Sequence, residues 1–139
     1  MTFPSQHIGV SINRPPSEVY RFASDPRNLP RWASGLGGSI SNVDGDWVAE
    51  SPMGAIRIRF ADENALGVLD HDVTLPSGET FYNPMRVFSN GDGSELVFTL
   101  YRQPDVTDEA FGDDARTITR DLAVLKALME DQAPDTTRP

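Results

Sequence analysis

The chain has 139 residues, 38% of them hydrophobic and 24% charged, a balance that supports one globular domain with a real core but hardly two. Its 21 acidic and 12 basic side chains leave a formal net charge of −9, which repels phosphate backbones and anionic lipid headgroups and argues against nucleic acid and membrane partners. It contains no cysteine, so disulfides and thiolate catalysis are excluded.

The N-terminal MTFPSQHIGV has neither a basic nor an apolar leader region, and no apolar run reaches membrane-spanning length. The expectation is a cytoplasmic protein in which residues 1–132 form a single domain and 133–139 a flexible tail.

HIGVSIN, His7 to Asn13, alternates apolar and polar residues as a half-buried strand does. Pro15-Pro16 end it, and SEVYRFA then places Val19, Phe22 and Ala23 at helical spacing. Asp25-Pro26 begins a second short helical turn, which Pro30 is expected to interrupt before Trp32. GLGGS is read as a flexible joint.

Strand candidates follow. SISNV and DWVAES flank the hairpin signal Asp44-Gly45. AIRIRFA puts Ile56, Ile58 and Phe60 on one face and Arg57 and Arg59 on the other. ALGVLDHDVTL is the next, then ETFYNPMRVFS and SELVFTLYRQ, joined by Asn90-Gly91-Asp92-Gly93. After Pro104 the period changes. Phe111, Ala115, Ile118, Leu122, Leu125 and Met129 form one apolar stripe on a long helix over residues 108–131, with Thr107 as N-cap.

The order is one strand, two short helices, about six strands in hairpins and a long C-terminal helix. It resembles the helix-grip fold of the START-like (SRPBCC) superfamily, and in particular its polyketide cyclase/dehydrase group. The segment INRPPSEVYRFASDPRNLPRWASGL is similar to the N-terminal signature of that superfamily, with Pro16, Glu18, Val19, Tyr20, Phe22, Asp25 and Trp32 in the matching places. The resemblance spans nearly the whole chain. It implies an α+β fold in which a curved antiparallel sheet of six or seven strands wraps a long C-terminal helix. It also implies a V of two short helices that seats this helix, with Trp32 near a cavity mouth. The same tryptophan reads equally well as a core anchor.

A curved sheet and one helix cannot close both ends of their interface, so a cavity is expected between them. Its walls are Trp32, Ile58, Phe60, Phe98, Leu100, Phe111, Ile118 and Leu122. His71 shares parity with Leu69, Val73 and Leu75 and points inward on this reading, as a general base, a ligand contact or a structurally satisfied imidazole. Tyr82 is a further ligand contact. Arg86 is a second catalytic candidate if it faces the cavity; facing outward, it would pair with Glu95 across the hairpin. Asp70 and Asp72 take the opposite parity to His71, so one strand cannot aim the D-H-D triplet at one ion, and no metal site is expected. No nucleophile elbow, phosphate-binding glycine loop or other cofactor motif occurs.

Three functions stay open at this point. The first is binding of a hydrophobic or aromatic small molecule in the cavity. The second is a cyclase/dehydrase-type reaction on a carbonyl substrate, and the third a protein-interaction domain like the chaperone-activating branch of the same fold. A homodimer is compatible with each.

Overall fold

Alternation becomes strand wherever the sequence sustains it. The structure, a computed structural model, describes residues 1–36 and 39–131, so the Gly37-Gly38 joint and the 133–139 tail lie outside the described residues. The strands are β1 (Ser5–Ile12), β2 (Ile40–Val43), β3 (Asp46–Ser51), β4 (Gly54–Phe60), β5 (His71–Thr74), β6 (Thr80–Asn83), β7 (Met85–Asn90) and β8 (Gly93–Tyr101). In β4 the pattern reads directly: Ile56 and Ile58 are buried, while Arg57 and Arg59 bond outside to Asp46, each at 2.9 Å. Asp44 (φ 53°) and Gly45 (φ 91°) make the β2–β3 turn with two left-handed residues, as a tight hairpin requires.

Two helices precede β2, α1 (Pro16–Ala23) and α2 (Leu29–Trp32), with a 3₁₀ turn over Pro26–Asn28 between them. Asp25 caps that turn by accepting the Arg27 amide at 3.0 Å, and the Arg27 side chain closes back on the same carboxylate. Pro30 differs from expectation. It occupies the first turn of α2, where no amide is needed, so it helps to start this helix rather than interrupt it. Val19, Ala23, Leu29 and Trp32 are thereby carried into the core.

The strands form two antiparallel sheets, β1-β8-β7 and β2-β3-β4-β5-β6. The expected single strand ETFYNPMRVFS is divided at Pro84, which lacks an amide to donate. β6 stays with the five-stranded sheet and β7 joins the other, while the Pro84 carbonyl accepts the Thr99 amide (2.9 Å). Seven strands therefore follow α2. The strand expected over ALGVLDHDVTL is also shorter, because residues 64–68 form a tight loop around Asn64. Its Oδ1 accepts the amides of Leu66 and Val68, its Nδ2 donates to the carbonyls of Asp62 and Val68, and its own amide donates to the Tyr20 hydroxyl.

The third helix, α3 (Asp108–Asp131), starts at Thr107, whose hydroxyl accepts the Ala110 amide (3.1 Å). Its C-terminal half lies on β1, where Leu122, Leu125 and Met129 join Ile8, Ile12 and Leu96 in the core. Polar ties fix that end. Glu130 accepts the Asn13 amide (2.8 Å), Lys126 donates to the Ser11 carbonyl (2.7 Å), and Arg14 Nε donates to the Met129 carbonyl (2.9 Å). At the opposite end α3 is tied by Asp108 to Arg102 and by Asp121 to the Ser34 amide, and space remains beneath it.

Candidate functional site: the cavity between sheet and helix

That space is a cavity of about 450 Å³ bounded by β4, β5, β6, β8, the N-terminal half of α3 and α2. Trp32, Ile58, His71, Phe98, Leu100 and Ile118 are brought together on its walls. Phe60, Phe111 and Leu122, also expected there, are not among them. Phe60 packs against the His71 ring with centroids 5.0 Å apart, and Phe111 is half-buried in the first turns of α3. Leu122 is only 1% exposed and belongs to the solid core. The apolar stripe of α3 changes role along the helix: Ile118 borders the cavity, and Leu122, Leu125 and Met129 beyond it pack on β1. Spacing alone gives both halves the same reading.

Pairing registers settle the faces of β5 and β6. His71 lies opposite Asn83, and Val73 opposite Phe81. All four line the cavity. Tyr82 has the other parity. It borders the cavity, with its ring half exposed and its hydroxyl donating to Asp70 Oδ2 at 2.8 Å on the outer side. Arg86 shares that outer face and is 52% exposed at the side chain. Its Nε and Nη2 clasp Asp70 Oδ1 and Oδ2 at 2.9 and 2.8 Å. Glu95, its alternative partner, instead accepts from Ser11 and Asn90. With its guanidinium held outside the wall, Arg86 cannot act on anything inside it.

Asp70 also accepts the Met85 amide (2.9 Å), so it anchors the junction between the two sheets. The Arg86 guanidinium, more than the burial that opposes it, holds the Asp70 pKa down from 3.8 to about 2, with help from Met85 and Tyr82. A depressed carboxylate contributes stability above its unfolded pKa and loses it as pH falls through the folded one. Asp70→Ala should therefore cost about 2 kcal/mol at neutral pH. Urea titrations of both proteins should show the gap closing as pH falls from 3.8 towards about 2; a gap independent of pH would show that the loss is packing, not charge.

Inside the wall, His71 Nδ1 lies 3.0 Å from the Leu69 carbonyl oxygen. A carbonyl only accepts, so this nitrogen carries the proton and Nε2 keeps its lone pair. No described residue hydrogen-bonds to Nε2. Rings of Phe60 and Phe98 flank the imidazole at 5.0 and 5.9 Å. Burial pushes the His71 pKa below 6.5, against the opposing effects of the Leu69 carbonyl, Asp70 and Asp72, so the ring is neutral at neutral pH. Because the unfolded chain takes up this proton first, His71 withdraws stability as pH falls below the ordinary imidazole range.

The remaining polar lining was missed by sequence reasoning. Asn83, on β6, and Asp114, Thr117 and Asp121, beside the apolar stripe of α3, border the cavity. Burial raises the pKa of Asp121, although the Ser34 amide donates to it at 3.2 Å; burial and then Asp113 raise that of Asp114. No lysine or arginine is among the described lining residues. Trp32 is 7% exposed, and its buried Nε1–H has no partner among the described residues, so it serves as wall and core at once. A wider groove of about 630 Å³ lies outside, between α1, the Asn64 loop and β7, with Leu66 and Phe88 exposed on it.

No family model matches the sequence, and no curated protein matches it. Solved structures do. The Aha1 dimer from Colwellia psychrerythraea superposes with a TM-score of 0.72 at 14% identity, over 94% of this chain and 99% of that one. Ara h 8.0201 gives 0.69 at 15% identity, over 91% and 97%. DynU16, a putative protein in the dynemicin biosynthetic locus, gives 0.70 at 14% identity over 94% of this chain, which spans 48% of DynU16. At these identities the likeness is one of architecture. Sheet wrap, paired short helices and long C-terminal helix together give this chain a helix-grip fold.

Proposed function

We propose that this protein binds a hydrophobic or aromatic small molecule between its sheet and α3. One observation carries the reading: a cavity of about 450 Å³, walled by Ile58, Val73, Phe81, Phe98, Leu100 and Ile118, beside an otherwise packed core. That volume falls within the range of small-molecule sites, about 300–1,000 Å³. Binding is driven by apolar burial, at roughly 25 cal/mol per Å² before the costs of immobilisation are subtracted.

A hydrophobic fluorophore titrated into the protein should brighten and be displaced by aromatic or acyl compounds. Ile118→Trp fills the cavity with apolar atoms, and should abolish that signal while the protein stays folded. Unchanged fluorophore affinity in folded Ile118→Trp would move the binding site elsewhere.

The second reading, a cyclase/dehydrase-type enzyme, rests on the neutral His71 and its unpartnered Nε2, which suit a general base. It has lost its other candidate, since Arg86 is held outside by Asp70. Binding is therefore the better supported function.

A further inference from the structure

The cavity carries a charge balance that its apolar walls do not require. Its described lining holds two carboxylates, Asp114 and Asp121, and no lysine or arginine. An anion entering it would leave water, find no cation and meet like charge. Deeper in, the register sets Asn83 directly across from His71, where cross-strand side chains lie about 5 Å apart. Neither the His71 Nε2 nor the Asn83 amide has a hydrogen-bond partner among the described residues. One supplies an acceptor; the other supplies donor and acceptor together.

Resting on the binding function proposed above, we infer that the cavity selects a non-anionic, ring-sized ligand bearing a hydroxyl, read by His71 and Asn83, and rejects carboxylates through Asp114 and Asp121. The hydroxyl donates to His71 Nε2 and accepts from the Asn83 amide. The Phe60 and Phe98 rings flank the imidazole, so the contact to His71 is worth more than one on an open surface. The Leu69 carbonyl keeps the imidazole in the tautomer that can accept.

Three probes of one skeleton separate the contributions at neutral pH: naphthalene, naphthol and naphthoate, each measured by displacement of the fluorophore. Naphthol should bind more tightly than naphthalene by about three- to tenfold. Naphthoate should bind more weakly than naphthol by about tenfold or more. His71→Phe and Asn83→Leu should each erase the advantage of naphthol over naphthalene, with circular dichroism melts showing that the variants are folded. Asp114→Asn with Asp121→Asn should recover naphthoate binding; Asn keeps the oxygen that accepts the Ser34 amide. If naphthalene itself fails to bind, the binding function falls and this inference with it. If naphthalene binds but naphthol gains nothing, or naphthoate matches naphthol, the inference alone is overturned.

Discussion

Leu122→Asp is expected to leave the protein unable to fold. The side chain is 1% exposed and packed with Leu125 and Met129 on the face of α3 that covers β1. Removing it costs about 2–5 kcal/mol in lost transfer energy and residual cavity. A carboxylate left there without a partner adds several more, so the sum approaches a typical total stability of about 5–15 kcal/mol. Ile118→Asp, one turn earlier on the cavity wall, should fold, because the carboxylate can reach the water-accessible space. Circular dichroism melts of the two variants make the comparison. A cooperative melt near wild type for Leu122→Asp would show that the core end of α3 has been misplaced.

Gly67→Ala is expected to be the next most damaging change, at about 3 kcal/mol or roughly 10 °C in Tm. Gly67 has φ +76°, a conformation that costs an L side chain about 1–2 kcal/mol. A Cβ there would also fall inside the van der Waals sphere of the Val87 carbonyl oxygen, which is backbone and cannot swing away. The hydrogen bond from the Val87 amide to the Gly67 carbonyl (2.9 Å) would have to open. Gly78→Ala is the control: its φ is +90°, but nothing lies within 4 Å of an added Cβ. It should cost only the conformational part, about 1 kcal/mol. Equal losses in the two variants would mean that the Asn64 loop yields freely at Val87.

Residue 67 also shows where sequence reading stops. Period and turn chemistry were enough to place β1, the Asp44-Gly45 hairpin, the inward row of β4 and the length of α3, because each depends on residues close in sequence. Pro84 marked a weak point in a strand pattern, but not that the halves on either side belong to different sheets. The Asn64 loop was hidden because its defining contacts reach Tyr20 and Val87. The partner of Arg86 had to be chosen without a register. A hairpin reading offers Glu95, whereas the sheet junction brings Asp70 within 2.8 Å.

For the cavity, parity placed His71 inward, and apolar rows supplied Ile58, Phe98 and Leu100. The polar members could not be found this way. Asn83, Asp114 and Asp121 are the residue types that a binary pattern assigns to water, and they face the cavity only because the sheet and α3 diverge at this end. Tyr82 borders the cavity too, while its hydroxyl is engaged by Asp70 on the outer side, a contact that only the folded sheet reveals.

Where a bound ligand sits is the most direct test of the central claim. Nuclear Overhauser contacts recorded from naphthol to assigned side chains should connect it to Val73, Phe98 and Ile118 on the cavity wall. Contacts to Leu66 and Phe88 in the outer groove, with none to those three, would contradict the account.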